Sequence, residues 1–223
     1  VDVGSTISVT VSYTDNHGTE ETLSSSATST ITNINDLPTG SVSISGTPTQ
    51  GETLTATNNI TDADGLGTLS YQWKRNDSPI SGATSSTYSL TQADVGSTIS
   101  VTVSYTDNHG TEETLSSSAT STITNINDAP TGSVTISGTP TQGETLTATN
   151  SLTDPDGIGT LSYQWKRNDS PISGATSSTY SLTQADVGST ISVTVSYTDD
   201  QGTKETLSSS ATSTITNIND APT

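Results

Sequence analysis

Residues 124–132 read TNINDAPTG, 32–40 read TNINDLPTG, and the sequence closes on TNINDAPT at 216–223. Each copy places two asparagines and an aspartate before a proline, which removes a backbone donor and favours an extended residue ahead of it. Ca²⁺ takes roughly six to eight carboxylate and amide oxygens at irregular geometry, whereas Mg²⁺ needs a tight octahedron. The string is therefore interpreted as a linker between domains that offers oxygen ligands to calcium.

Two further acidic strings recur along the chain. TDADG at 61–65 and TDPDG at 153–157 each contain an Asp-x-Asp pair, and YTDNHG at 105–110 returns as YTDDQG at 197–202. These acids lie far from the asparagine-rich strings in sequence. They can serve one metal ion only if the fold brings them to one place.

The chain repeats at a fixed interval. DVGSTISVTVSYTD begins at Asp2, Asp94 and Asp186, which stand 92 residues apart (94 − 2 and 186 − 94). A period this long suits one small domain per repeat rather than a solenoid unit. We predict the C-terminal part of a repeat at 1–38 and complete repeats at 39–130 and 131–223, and we expect the chain to be a fragment of a longer array.

Each repeat alternates apolar and polar residues, which is typical of half-buried strands. In TLSSSATSTIT, Leu115, Ala119 and Ile123 share one parity, and we expect them on one face. Turn strings such as GTPTQG and NDSPISG separate the segments. Seven or so short strands with one tryptophan on a central strand predict an all-β, antiparallel sandwich. The alternating segments of 39–130 are SVSIS, TLTAT, LSYQW, TYSL, ISVTVSY and TLSSSATSTIT.

TQADVGSTISVTV resembles the approach to strand F of immunoglobulin (Ig)-type domains, where Asp-x-Gly precedes an alternating run. Trp73 stands where the strand-C tryptophan of such domains would stand. Ile99 and Val101 stand where the strand-F cysteine would be expected, and the chain has no cysteine. The resemblance implies tandem antiparallel Ig-like β-sandwich domains of about seven strands each, in a linear array.

The whole repeat resembles the Ig-like or cadherin-like extender repeats of large bacterial surface adhesins of the RTX type. DADGLGTLSYQWKRN, ISGATSSTYSLTQADVG and NINDAPTG carry this resemblance. Asn-x-Asn-Asp-x-Pro also resembles the cadherin inter-domain linker, which binds calcium together with an Asp-x-Asp pair of the following domain. The first acidic residue of that linker is asparagine here, which lowers the charge of the site.

In an Ig-like sandwich the BC and FG loops share the end of the domain at which the linker enters. The Asp-x-Asp pairs, the FG-loop aspartates and the linker residues are therefore expected to converge at each junction. The predicted Ca²⁺ ligands are Asn33, Asn35, Asp36, Asp62, Asp64 and Asp107 at one junction, and Asn125, Asn127, Asp128, Asp154, Asp156 and Asp199 at the next.

Structural roles compete with metal binding for these residues. Asp-x-Asp-Gly alone is a turn signature, and Asn-Asp before proline commonly opens a turn; the conjunction of linker, BC-loop and FG-loop acids at both junctions favours calcium. Asp94 and Asp186 precede glycine at a corner where aspartate often serves structure. Glu52 and Glu144 are further candidates from the preceding domain.

Three other kinds of residue are expected to be structural. Trp73 fits a core position better than a sugar-stacking platform. His109 is replaced by Gln201 in the next copy, so a function shared by the repeats cannot need imidazole. Glu112 and Glu113 are expected at a solvated hairpin end.

The composition limits the partners and the compartment. A net charge of −18 argues against nucleic acid and against anionic membrane surfaces, and without cysteine no disulfide stabilises the domains. Leu, Ile, Val and Phe make up about 17% of the residues, a fraction typical of disordered chains when net charge is high. Since the strand pattern indicates order, we expect an acidic, core-poor domain that needs stabilisation from outside its own core.

The sequence thus predicts structural extender repeats of an extracellular adhesin on a bacterial surface, stiffened by calcium at the linkers. Neighbouring repeats and Ca²⁺ are the expected partners, without nucleic acid or membrane insertion, and the distal ligand lies outside these residues. The alternative is a ligand-binding module for carbohydrate or a partner cell. No nucleophile–base–acid set is present, so no enzyme is expected. The alternative needs exposed aromatics, but the parity of the strands points four of them inward: Tyr71, Trp73, Tyr88 and Tyr105.

Overall fold

A computed structural model describes residues 2–219, which form two compact units. The second unit includes two short segments from the middle of the chain that belong to it by their contacts. The first unit comprises the residues up to Pro48, Glu52–Leu90 and Gly96–Ile123, and the second comprises Thr49–Gly51, Thr91–Val95 and the residues from Thr124 onward.

Repeat 39–130 contains two antiparallel sheets, with strand orders β3-β4-β7 and β6-β5-β8-β9. The first sheet consists of β3 (Val42–Ser45), β4 (Thr53–Asn58) and β7 (Thr87–Ser89). The second consists of β5 (Ser70–Arg75), β6 (Ser78–Pro79), β8 (Ile99–Thr106) and β9 (Glu112–Ser116).

The second unit repeats this topology, with strand orders β10-β11-β14 and β13-β12-β15-β16. The first sheet consists of β10 (Val134–Ser137), β11 (Thr145–Asn150) and β14 (Thr179–Ser181). The second consists of β12 (Ser162–Arg167), β13 (Ser170–Pro171), β15 (Ile191–Thr198) and β16 (Lys204–Ser208). The predicted all-β, antiparallel Ig-like sandwich with about seven strands per repeat is confirmed, and the exact repeat boundaries stay predictions.

The core of the first unit lies between its two sheets. Every second residue of β8 points inward, so Ile99, Val101 and Val103 are fully buried. Trp73 on β5 lies opposite Val101 in the sheet, is fully buried, and donates its indole N–H to the backbone oxygen of Ser85 at 2.9 Å. The expected core position of Trp73 is thus confirmed.

A separate two-stranded sheet precedes this sandwich, formed by β1 (Thr10–Thr14) and β2 (Glu20–Ser24). Its alternating residues have no covering sheet among the described residues, and Val9, Val11 and Tyr13 remain 61%, 60% and 62% exposed. The hairpin is therefore formed by its own backbone pairing without a core.

Leu115 and Ile123 pack in the core as expected, but the placement of Ala119 on the same face is wrong, because the strand does not continue in register. β9 ends at Ser116. The N–H groups of Ser117, Thr120 and Ile123 then bond to the backbone oxygens of Val101, Ile99 and Ser97, so each of the two steps contains one extra residue. The hydroxyls of Ser117 and Thr120 accept the N–H groups of Val101 and Ile99, at 3.1 Å each. These bulges leave Ala119 exposed while Ile123 is buried.

Candidate functional site

The first acidic cluster forms where the linker meets the loop between β4 and β5. The backbone N–H of Asp64 donates to Asp62 Oδ1 at 2.8 Å, and the linker residue Asp36 donates its own backbone N–H to Asp64 Oδ2 at 2.7 Å. The hydroxyl of Tyr105 on β8 donates to Asp62 Oδ2. Linker, loop and strand are thus joined through two carboxylates, of which Asp64 is buried.

Burial and the nearby Asp62 carboxylate raise the pKa of the Tyr105 phenol above its ordinary value. In the second unit, the Tyr197 hydroxyl donates to Asp154 Oδ2, and the same two causes raise its pKa. Each phenol therefore remains a hydrogen-bond donor to its carboxylate well into alkaline solution.

A glycine lets the loop after β8 approach this cluster closely. Gly65 has φ +98°, and a Cβ built there would lie 2.0 Å from Asn108 Nδ2. The backbone N–H of Asn108 donates to the backbone oxygen of Asp64 at 3.2 Å. The Asp-x-Asp-Gly string therefore supplies both the carboxylates and the space for the facing loop.

Asp107 stands at the start of that facing loop. Its Oδ1 accepts the backbone N–H groups of His109 and Thr111, each at 2.8 Å. Burial alone would raise the pKa of Asp107, but the N–H donors of Thr111 and His109 outweigh it and lower the pKa below its ordinary value. Asp107 is only 5% exposed, and its Oδ2 is buried without a hydrogen-bond partner.

The expectation that Glu113 lies in solvent is wrong. Its side chain is 7% exposed, and its Oε1 accepts a hydrogen bond from Asn35 Nδ2 at 2.7 Å. The linker amide holds the carboxylate against the cluster, and alternation along a hairpin gives no signal for a partner so distant in sequence. Glu112, its neighbour, is exposed as expected.

The second unit contains the same cluster built from the next copy. Asp156 accepts the backbone N–H of Asp128 at 2.7 Å, and Asn127 Nδ2 donates to Glu205 Oε1 at 2.9 Å. Asp199 has the same bonding as Asp107: its Oδ1 accepts the backbone N–H groups of Gln201 and Thr203, and its Oδ2 is buried without a partner. Asp154 accepts the Asp156 N–H at 2.9 Å.

Two glutamines that the sequence did not single out bind this second cluster. Gln50 Nε2 donates to Asp128 Oδ2 at 2.7 Å, and Gln92 Nε2 donates to Asp156 Oδ1 at 2.9 Å. Both glutamines belong to the second unit by their contacts. A neutral amide has no charge pattern that would mark it in a sequence, but each one lies in a turn string that recurs every 92 residues.

The structure brings together most, not all, of the predicted ligands. Hydrogen bonds join six of the twelve to one another: Asp36, Asp62 and Asp64, and Asp128, Asp154 and Asp156. Asn35 and Asn127 bond instead to Glu113 and Glu205. The facing-loop Asp107 and Asp199 reach the clusters through the loop backbone. Asn33 is half-buried, and Asn125 Oδ1 is buried without a hydrogen-bond partner. Within residues 2–219, no three His, Cys, Asp or Glu side chains lie close enough to hold a metal ion, so calcium stays a prediction.

The aspartates at the corner before β8 and β15 point into the fold. Asp186 is fully buried; its carboxylate accepts the backbone N–H of Thr183 at 2.7 Å and pairs with Arg167 Nη2 at 2.6 Å. Burial would raise the pKa of Asp186, but its bonds to Thr183 and to Arg167 lower it below the ordinary value. Asp94 is likewise fully buried and accepts the Thr91 N–H. The aspartate at each of these corners therefore has a structural role.

The other candidates have different surroundings. Glu52 and Glu144 are exposed. Tyr88 stacks on Trp73 with ring centroids 5.7 Å apart, and Tyr105 is 3% exposed. These aromatic side chains therefore pack in the core, as their parity predicted.

No family model matches the chain, and no curated protein matches it. Among solved structures, a Ca²⁺-stabilised adhesin of an Antarctic bacterium that binds ice is 15% identical (TM-score 0.34), and the match covers 94% of this chain and 56% of that one. A tetra-tandem repeat from the extending region of a large adhesion protein is 19% identical (TM-score 0.33), with 94% and 56% covered. The tandem Ig repeats of Dlar are 13% identical (TM-score 0.26), with 81% and 97% covered.

The chain spans just over half the length of both adhesin structures. Among the helices of the described residues, none has the length and apolar character needed to cross a membrane.

Proposed function

We propose that this chain is a set of structural spacer repeats from an extracellular adhesin on a bacterial surface, and that Ca²⁺ binds its acidic clusters. One observation carries the proposal: each complete repeat has an acidic cluster at the same place, where a linker aspartate is hydrogen-bonded to a loop carboxylate. A spacer needs such a repeated junction, because its task is to set the distance and angle between modules.

The buried aromatic side chains of the two sandwiches support a spacer over a ligand-binding module. Trp73 and Trp165 are fully buried, and Tyr105 and Tyr197 are each 3% exposed. A sugar-binding surface needs aromatic faces open to solvent. A surface depression of about 380 Å³ beside β7 is lined by Ile80, Ser81, Tyr88 and small neighbours, without charged side chains.

The cluster residues suit calcium by their chemistry. They present carboxylate and amide oxygens, which are the ligands that Ca²⁺ prefers. Asp107 Oδ2 and Asp199 Oδ2 are buried without partners, and a buried carboxylate oxygen left in that state costs on the order of 1–3 kcal/mol. A cation would satisfy these oxygens and neutralise the repulsion among Asp154, Asp156 and Asp199.

Calcium would act through stability and stiffness. An ion that binds only the folded state stabilises it by linkage, which would offset the small apolar core of each sandwich. It would also restrict the motion of the linker residues Asp36 and Asp128 relative to their loops. The chemistry supplied is electrostatic, and no covalent step is involved.

Thermal unfolding of the full chain in millimolar Ca²⁺ and in EDTA tests the proposal. We expect the midpoint to rise by several degrees with Ca²⁺, and Asp199→Asn to reduce this rise while keeping the turn, because an asparagine Oδ1 still accepts the Gln201 and Thr203 N–H groups. Asp169→Asn is the matched control, since it removes one charge at an exposed turn outside the cluster.

Equal midpoints with and without Ca²⁺ would overturn calcium binding. The spacer role has its own readout, because small-angle scattering of chains with two, three and four repeats should show a maximum dimension that grows by a constant increment per repeat. A compact particle whose dimension does not grow in this way would contradict a spacer.

A further inference from the structure

We propose that Gln50 and Gln92 form a carboxylate-binding pair, which recognises Asp128 and Asp156 and holds the second acidic cluster together without a metal ion. Here "glutamine pair" means these two side chains. The inference does not depend on calcium, because amide N–H groups can stabilise two neighbouring carboxylates, as a cation would. It names the partner by its chemistry: an extended segment that carries one carboxylate and a loop that carries the other.

Gln50 binds the segment at residues 124–128 through both its backbone and its side chain. Its backbone N–H donates to Thr124 O at 3.0 Å, and Thr49 forms a parallel β-bridge with Thr124. Its Oε1 accepts the N–H of Ile126 at 3.1 Å, and its Nε2 donates to Asp128 Oδ2 at 2.7 Å. Because a donor engages Oε1, the amide orientation is fixed and Nε2 must face the carboxylate.

Gln92 completes the coordination of the more buried carboxylate. Asp156 is 2% exposed, and burying a charge requires compensating donors. Its Oδ2 accepts the backbone N–H of Asp128, and its Oδ1 accepts Gln92 Nε2 at 2.9 Å. Both oxygens of the buried carboxylate therefore have N–H donors, one of which comes from the glutamine pair.

The first cluster shows the same carboxylates in the absence of these two glutamines. Asp36 is exposed, whereas its copy Asp128 is half-buried. Asp64 is 7% exposed, against 2% for its copy, and His109 Nε2 lies 4.0 Å from its Oδ1. The backbone bond from linker to loop is common to both clusters, so the additional burial coincides with the glutamine pair.

The glutamine pair determines which segment of chain can bind to it. A fitting segment is extended, donates an N–H two residues before an aspartate, and is followed by an Asp-x-Asp-Gly loop. A segment with asparagine at either carboxylate position would lose the charge-assisted hydrogen bond, which is about twice as strong as a neutral one. The glutamine pair is therefore selective for the acidic string that recurs at every repeat.

Charge substitution and reversal in the full chain, in EDTA, test the proposal. Gln92→Glu places a carboxylate against Asp156, and we expect the unfolding midpoint to fall by at least about 4 °C. Gln184→Glu is the matched control: it lies in the same TYSLTQADVG string of the next copy, and the carboxylate that would correspond to Asp156 is not among the 223 residues.

Reversal supplies a readout that a general loss of stability cannot imitate. Adding Asp156→Asn to Gln92→Glu inverts the pair, because the new amide can donate to the new carboxylate while its oxygen still accepts the Asp128 N–H. We expect the double variant to regain most of the lost midpoint. The same reversal, Gln50→Glu with Asp128→Asn, is expected to behave alike.

A Gln92→Glu midpoint equal to that of Gln184→Glu, or a reversal that lowers the midpoint further, would overturn the proposal. If the single variant does not fold, side-chain amide hydrogen exchange in the unmodified chain decides the question. In EDTA the Nε2 protons of Gln50 and Gln92 should exchange more slowly than those of Gln184, and equal rates would contradict the pair. Since every measurement is made without Ca²⁺, failure of calcium binding would leave this inference intact.

Discussion

Residues 2–36 and 94–128 have the same sequence but different surroundings. Both copies form the hairpin, and in both the hydroxyl of a serine after the second strand accepts the N–H of the facing valine: Ser25 from Val9 and Ser117 from Val101, each at 3.1 Å. Yet Val9 is 61% exposed and Val101 is fully buried. Local sequence therefore specifies the strands, the turn and the bulges, whereas burial depends on the sheet that covers them.

The largest difference between the copies is expected on the inward face. Val101→Asp places a charge in the core between the two sheets, and we expect it to lower the free energy of unfolding by more than about 4 kcal/mol. Val9→Asp makes the same change on the exposed copy, where we expect less than about 0.5 kcal/mol. Chemical denaturation of both variants measures the contrast. A large loss for Val9→Asp would show that the first hairpin is covered in solution.

The corner aspartates come next in expected effect. Asp186→Ala removes the partner of the Thr183 N–H and leaves Arg167 without its ion pair, and breaking a buried pair costs about 3 kcal/mol. Asp2 occupies the same place in the first copy and is exposed, so Asp2→Ala should change stability by less than about 0.5 kcal/mol. Denaturation midpoints compare the two. Equal losses would mean that the corner acts locally and independently of the sandwich.

The bulge hydroxyls offer a smaller contrast. Ser117→Ala deprives the buried Val101 N–H of a side-chain acceptor, which we expect to cost about 1–2 kcal/mol. Ser25→Ala removes the equivalent acceptor from an exposed N–H that water can satisfy, and it should be nearly neutral. Hydrogen exchange at Val101 and Val9 reports on each bond directly. If Ser117→Ala does not accelerate exchange at Val101, the bulge is held by other contacts.

The smallest effect concerns alkaline pH. The pKa of Tyr105 is raised in the folded protein, so its contribution is fully present below the unfolded pKa near 10 and is lost as pH rises toward the folded value. From pH 8 to about pH 11 the free energy of unfolding should therefore fall by about 1 kcal/mol more in the unmodified protein than in Tyr105→Phe. Tyr13→Phe makes the same substitution on the exposed copy, where the side chain is 62% exposed. Unfolding midpoints across this range measure both.

Much of the fold could be predicted because it depends on periodicity. Alternation placed Val101, Trp73 and their neighbours on inward faces, and turn strings separated the strands. The bulge after β9 could not be predicted, since it arises when the Ser117 and Thr120 hydroxyls replace ladder acceptors while two extra residues are accommodated. Period-two reasoning consequently placed Ala119 on the buried face, where it does not lie.

The acidic clusters were predictable to a similar degree. Recurring carboxylates and the loop order of a sandwich indicated that Asp36 and Asp64 meet. The burial of Glu113 and the role of Gln92 were not predictable, because each depends on a neutral amide, Asn35 or Gln92 itself, that bonds to a carboxylate distant in sequence. Metal ligation itself remains a prediction that the unfolding experiment with calcium tests.

The identical stretches also bear on inheritance. An exchange between the stretches 2–36 and 94–128 would add or remove one whole copy without creating a new amino-acid sequence at the junction. Glutamines and aspartates that bind each other recur at the same interval, so every hybrid keeps matching partners. The number of modules can therefore change in a single genetic event, while each module retains the contacts on which its folding depends.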